Sequence, residues 1–201
     1  MQIKLSKPSK MPCHGWSISA TRCKTGSKLA TVEGSVCAGC YALKGRYRFP
    51  NVQNAMDARL TQSKRKGWVK AMIETIRREE KSGYFRWFDS GDLQSYRMLC
   101  DIVSIAQSLP SILFWLPTKE ISLVARYVEE KGPFPSNLNV RLSAYMVDKA
   151  GPHSLAEALG CTVSEVRTSG ETCPAPTQGN QCGDCRACWD KATPTVVYRK
   201  H

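Results

Sequence analysis

The sequence predicts an α/β fold: a partial, barrel-like (β/α) arrangement with a mainly parallel sheet, carrying loop-rich, cysteine-bearing segments at both ends. Three observations lead there. The runs Tyr84-Phe85-Arg86-Trp87-Phe88, Ile112-Leu113-Phe114-Trp115-Leu116 and Leu138-Asn139-Val140-Arg141-Leu142-Ser143 are each short and largely apolar, and the first two are each followed by a polar turn and then a helical pattern. Nearly continuous apolar strands belong to parallel sheets covered by helices. The units are too few to close an eight-stranded barrel, so the sheet is expected to stay open and curved. Eight of the ten cysteines lie outside this region, at 13, 23, 37, 40, 173, 182, 185 and 188.

Residues 1–36 read as loop, broken by Pro8, Pro12, Gly15, Gly26 and Gly34, with one short strand at 16–20. Helical spacing follows at 53–64 and 67–82, where Trp68, Ala71, Met72 and Ile76 share a face. The first apolar strand ends in Asp89-Ser90-Gly91-Asp92. The next helix runs through Leu109, with Leu99, Ile102, Val103 and Ala106 inward, and Pro110 ends it. The second strand breaks at Pro117-Thr118-Lys119-Glu120, a helix reaches about Lys131, and the third strand ends at Ser143. A short helix at 153–159, a strand near 161–167 and a last strand at 195–198 extend the series. There is no internal repeat or low-complexity tract. One domain is expected, with a cysteine-bearing segment 1–50, a β/α core 51–168 and a C-terminal cysteine segment 169–201.

The net charge of +12 is unevenly placed. Residues 1–50 hold nine Lys/Arg and one acid, residues 51–100 hold ten and six, and the remainder balances at ten each. Such a field favours an acidic redox partner, a nucleic acid, or a phosphorylated or carboxylate ligand, although a solvated basic face is the plain alternative. No stretch has the length of a membrane span, and the N-terminus lacks a hydrophobic signal core, so a cytoplasmic protein is expected. In a reducing compartment, ten cysteines argue for metal or cluster ligation over a disulfide scaffold.

Cys182-Gly183-Asp184-Cys185-Arg186-Ala187-Cys188 places three thiols with two residues between each, and Cys173-Pro174 lies upstream. This is the ligand pattern of bacterial-type [4Fe–4S] sites. Zinc is the alternative, though structural zinc usually takes separated pairs or a Cys/His mixture, and a disulfide among such close thiols would be strained. Cys23 with Cys37-Ala38-Gly39-Cys40 supplies a second trio, so one or two clusters are expected. In the single-cluster case the C-terminal thiols share a ligand from the N-terminal half, with Cys13 an extra candidate. Cys100 and Cys161 read as core residues, and His14, His153 and His201 as dispersed surface residues.

Ligands of parallel α/β sheets bind beyond the carboxyl ends of the strands. Asp89, Ser90, Gly91 and Asp92, then Thr118, Lys119 and Glu120, then Ser143 occupy those ends. Helix capping is their alternative role. Here the sequence resembles a bacteriophage family, gene product 88. The resemblance rests on Cys37-Ala38-Gly39-Cys40-Tyr41-Ala42-Leu43-Lys44-Gly45, on Phe85 through Asp92, on Trp115 through Glu120, on Cys182 through Trp189 and on the closing Val197-Tyr198-Arg199-Lys200-His201; it runs from about Met11 onward. More distantly the layout is similar to radical S-adenosylmethionine proteins, which place a cysteine trio ahead of a partial (β/α) barrel. That resemblance implies Cys23, Cys37 and Cys40 as a trio that leaves one iron open to S-adenosylmethionine. It implies Asp89-Ser90-Gly91-Asp92 in place of the segment that binds the methionine amine, and Ser143 against the carboxylate or ribose. Cys173, Cys182, Cys185 and Cys188 then hold a second, fully ligated cluster. A non-catalytic, ferredoxin-like electron carrier or a cluster-stabilised binding module is the other function compatible with these residues.

Overall fold

The computed structural model describes residues 1–200, so His201 lies outside the described residues. In chain order the elements are β1 (Gly15–Trp16), the short helix α1 (Thr25–Leu29), α2 (Pro50–Ser63), α3 (Trp68–Glu79), β2 (Tyr84–Trp87), α4 (Tyr96–Ser108), β3 (Leu113–Thr118), α5 (Ile121–Lys131), β4 (Leu138–Ser143), α6 (His153–Ala158), β5 (Thr162–Arg167) and β6 (Thr195–Arg199). The strands lie side by side in sequence order, all five pairings are parallel, and the sheet is not closed. The expected open (β/α) architecture is what the chain adopts.

The two faces of the sheet follow from residue alternation. Phe85, Trp87, Phe114, Leu116, Leu138, Val140, Leu142 and Val163 join Met72, Ile76, Leu99, Ile102, Val103 and Val124 in one large buried core on the helix side. Cys100 and Cys161 pack against that core, half-buried. On the other face a smaller cluster unites Met11, Cys13, Trp115 and Trp189, with Tyr84, Cys182, Cys188 and Tyr198 against it. The C-terminal cysteine segment therefore covers the face that the helices leave bare.

Three local expectations are corrected. The first strand is only Gly15–Trp16, because Ser17 turns to Asp89, whose backbone N–H donates to the Ser17 hydroxyl at 3.0 Å. The second apolar strand does not break at Pro117 but continues to Thr118. Leu113 N donates toward β2 (to Gly83) and Phe114 N toward β4 (to Asn137), so alternation turns the Pro117 nitrogen toward β2. Pairing with β2 ends at Trp115, so the missing N–H costs no ladder bond. Nor is His14 a free surface residue: its ring and backbone N–H both contact the buried Glu80 carboxylate, at 3.0 and 2.6 Å.

Gly91 has φ +80°, and a Cβ there would lie 2.3 Å from Ile18 Cγ1 and 2.8 Å from the Ile18 carbonyl oxygen. The turn after β2 thus closes against the chain leaving β1 only with glycine. Gly91→Ala is expected to destabilise the protein by about 3 kcal/mol. A urea midpoint that falls at unchanged slope checks this; an unmoved midpoint contradicts it.

Candidate functional site

Cys23, Cys37 and Cys40 all lie on the connection from β1 to α2, and each part of that connection is fastened to a different strand end. Thr25 N donates to the buried Glu120 carboxylate just past β3, at 2.9 Å, which fixes the chain beside Cys23. Val36 N donates to the Tyr145 carbonyl past β4 at 2.8 Å, and Val147 N to Gly34 at 2.9 Å, which fixes the residue before Cys37. The Tyr41 hydroxyl, one residue after Cys40, donates to the Asp89 carbonyl past β2. Gly26 makes room between two of the thiols: a Cβ there would stand 3.5 Å from Cys37 Sγ and 3.6 Å from Cys23 Sγ.

The result is a half-buried group in which the three thiols share one electrostatic neighbourhood with Asp92 and Lys119. Burial pushes the Cys23 thiol up to about 12, and Asp92, Cys40 and Cys37 push in the same direction while Lys119 opposes them. Cys37 is raised by burial and lowered by Lys119. Burial also raises Asp92 to about 6, against the pull of its hydrogen bonds. Its carboxylate accepts from Thr118 Oγ1 at 2.6 Å, Lys119 N at 2.8 Å and Leu93 N at 2.7 Å.

The polar strand ends do not cap the following helices. Ser95 caps α4, accepting from Met98 N at 3.2 Å, and Asp92 instead ties β2 to β3. Asp89 is held by the hydroxyls of Ser17 and Tyr47. Ser90 is buried, with its hydroxyl unpartnered among the described residues. Of the segment Asp89–Asp92, it is Asp92 that faces the thiols. Ser143 stands apart from them, accepting from Ser164 at 3.2 Å and lining a hollow of about 240 Å³ with Ile121, Tyr145, Met146 and Lys149. The Tyr145 hydroxyl donates to the Lys119 carbonyl at 3.0 Å, which joins the hollow to the thiol group.

The C-terminal cysteines form a second group on the opposite face of the sheet. Cys173 N donates to Val197 on β6 at 3.1 Å, Cys182 N to Lys10 at 2.9 Å, and Asn139 Nδ2 to the Cys188 carbonyl at 3.0 Å. The Cys188 thiol lies 3.1 Å from the Tyr198 hydroxyl; burial raises it to about 11, opposed by that hydrogen bond and by Arg141 and Arg86. Cys173 acts on both Cys182 and Cys188, and Cys185 on Cys182. Cys13, fully buried, acts on Cys182 alone of this group, with burial holding its thiol near 12. All ten cysteines are free, and among the described residues no three His, Cys, Asp or Glu side chains stand close enough to cage a single metal ion. No helix among the described residues is long and apolar enough to cross a membrane.

Reading the sequence alone missed Glu120 as the anchor of the first loop, Gly26 as its spacer, and the cations Arg86 and Arg141. The last two carried a signal, since each interrupts an otherwise apolar strand.

Together these features define an open, all-parallel (β/α) protein with one cysteine group beyond its strand ends and another across its face. The model of the bacteriophage family described as Gene product 88 matches residues 2–191, and the chain belongs to that family. The match begins nearer the N-terminus than Met11 and stops short of the Val197–His201 string. No curated protein and no solved structure matches the chain.

Thr118 is the hinge of the polar tie, donating to Asp92 and accepting from Glu120 N at 3.0 Å. Thr118→Val leaves both groups buried without that partner and is expected to cost about 2 kcal/mol. A thermal melt and a urea titration read the loss; stability equal to the parent's contradicts it.

Proposed function

We propose that this protein is an iron–sulfur protein of the radical S-adenosylmethionine type, in which Cys23, Cys37 and Cys40 hold a [4Fe–4S] cluster with one open iron and Cys173, Cys182, Cys185 and Cys188 hold a second, fully ligated cluster. The observation that carries this reading is that one connection brings three thiols beyond the carboxyl edge of an open parallel sheet and is fastened beside each of them to a different strand end. Bound there, the cluster would supply an electron for reductive cleavage of the sulfonium bond of S-adenosylmethionine.

The chain's own groups support that chemistry. Lys119 offsets negative charge at the trio, and Asp92 locks the ends of β2 and β3 together beneath it. The hollow between Ser143, Tyr145 and Lys149 is joined to the thiol loop through the Val36–Tyr145 hydrogen bond and offers polar and apolar surface for the rest of a cofactor. The thiols do not form a ready-made cage, so loading has to draw them inward, which couples metal binding to ordering of the two loops.

The charge names the class of substrate or partner. The β1–α2 connection, residues 17–50, holds six Lys/Arg against one acid. Lys24, Lys28, Lys44, Arg46 and Arg48 are exposed and enter no salt bridge among the described residues. Tyr41, Phe49 and Tyr145 are exposed among them. Cations interleaved with open aromatic rings suit a single-stranded nucleic acid, whose phosphates and bases they engage respectively. We place this activity in the cytoplasm of the host cell, where thiols stay reduced. The C-terminal group favours a second reading: four thiols can ligate a cluster fully, as an electron carrier requires, and an acidic redox protein would then be the partner of the basic surface.

Anaerobic purification with iron and sulfide assay, followed by EPR of the reduced protein with and without S-adenosylmethionine, tests the assignment. We expect two clusters and a spectrum that shifts on adding S-adenosylmethionine. An indifferent spectrum supports the carrier, and zinc without sulfide overturns both readings. Cys185→Ser should lose about half the iron, whereas Cys100→Ser should keep all of it. For the partner, fluorescence anisotropy with a labelled single-stranded oligonucleotide should show salt-dependent binding. Replacing Lys44, Arg46 and Arg48 by Ala should flatten the log–log salt slope by about 2. An unchanged slope removes this surface from the interface.

A further inference from the structure

The face of the sheet opposite the helices carries two guanidinium groups without a carboxylate partner. Arg141 is fully buried, and it donates only to backbone carbonyls: Val163 at 2.7 Å, Ala187 at 2.9 Å, Thr193 at 3.1 Å and Asp190 at 3.4 Å. Arg86 lies 4.1 Å over the Trp115 ring, with a side-chain hydrogen bond to Tyr41 and longer contacts to Met11 Sδ and the Phe88 carbonyl, both at 3.4 Å. Neither enters a salt bridge among the described residues. The nearby acids are engaged elsewhere: Asp89 with Ser17 and Tyr47, Asp190 with Ala192 N and Thr193 Oγ1. Arg86 Nε, Arg141 Nε and Trp115 Nε1 are buried donors with no acceptor, and all three belong to this one face.

Buried positive charge without a partner is costly, and orphaned buried donors are rare. Two guanidinium groups with no carboxylate in a salt bridge, together with three such donors on one face, describe an anion site. What surrounds it is the second cysteine group: Cys182, Cys188 and Tyr198 pack with Trp115, and Arg141 holds the carbonyl of Ala187, the residue before Cys188.

We propose that Arg86 and Arg141, with Trp115 Nε1, form an anion site whose occupant is the four-thiolate iron–sulfur cluster of Cys173, Cys182, Cys185 and Cys188. This rests on the cluster assignment above and adds the residues that offset its charge. A cluster with four thiolates is negative in both oxidation states, and more so when reduced. Nearby buried cations and hydrogen bonds to its sulfurs therefore favour reduction, two of the levers that set such potentials. Arg86 and Arg141 are positioning residues here, since they act on the cluster through charge and touch no substrate.

Arg86 is the residue to replace, because its loss threatens folding less than loss of the four-carbonyl anchor at Arg141. The full-length chain with Cys23→Ser and Cys37→Ser leaves only the C-terminal cluster to be read. In that background, iron and sulfide content, far-UV circular dichroism and a redox titration monitored by EPR are compared for Arg86, Arg86→Gln and Arg86→Lys. We expect Arg86→Gln to shift the reduction equilibrium about tenfold against the reduced cluster, about 59 mV for one electron, and Arg86→Lys to restore most of it. Loss of iron in Arg86→Gln but not in Arg86→Lys, with the fold retained in both, also supports the site. An unchanged potential in Arg86→Gln overturns it, as does an equal shift in both variants. A background chain that folds but holds no iron and sulfide overturns the cluster assignment itself, a result distinct from a cluster that ignores Arg86.

Discussion

A parallel sheet has to be buried on both faces, and that constraint organises this molecule. Helices α2 to α6 supply one cover, built from the apolar positions of every strand from β2 to β5. Six strands do not close, so the other face cannot be filled by its own side chains in the manner of a barrel. The C-terminal cysteine segment fills it instead. Trp189 inserts against Trp115 and Tyr84, with ring centroids 5.3 and 5.4 Å away, and its indole N–H donates to the Phe85 carbonyl at 2.9 Å. Asn139 and Arg141 reach up from β4 to hold the carbonyls of residues 187, 188 and 190. The segment that carries the metal-ligand pattern is thus also the second wall of the core, and whatever orders its cysteines stabilises the sheet.

The same economy governs the other end. With only short helical turns between β1 and α2, the long connection would be free to wander. It is held by contacts to the ends of β2, β3 and β4, and those of Thr25, Val36 and Tyr41 each fall within two residues of a cysteine. The polar residues at these ends are therefore spent on carrying the thiol loop and on tying strands to one another, through Asp92, Thr118 and Glu120. A buried network of this kind works only when every member is satisfied, and the bonds around Asp92 meet that condition.

Much of this was legible in the sequence because the strands are apolar and the turns polar, a contrast that alternation makes plain. The order of elements and the open sheet followed from it. What the sequence hid is tertiary. Pro117 reads as a strand breaker until the length of the neighbouring strand is known. Asp92 and Ser95 are both acceptable caps by type, and only the packing of β2 on β3 assigns Asp92 to a cross-strand tie. Glu120 and Thr25 lie ninety-five residues apart, so no local pattern could join them. Arg86 and Arg141 are charges within apolar strands, a signal whose meaning needed the face they occupy.

One strand, β2, serves both cysteine groups. Arg86 lies on β2 three residues before Asp89, about 10 Å along an extended chain. Its charge is felt by Tyr41 and Asp89 on one side and by Tyr198 and Cys188 on the other. Between groups so little exposed to water, one charge acts at longer reach and greater strength than at the surface. A change of charge at Cys188 therefore registers at Arg86. Strand β2 carries the trio's support at its carboxyl end and the partner of the C-terminal segment along its length, so one strand braces both cysteine groups.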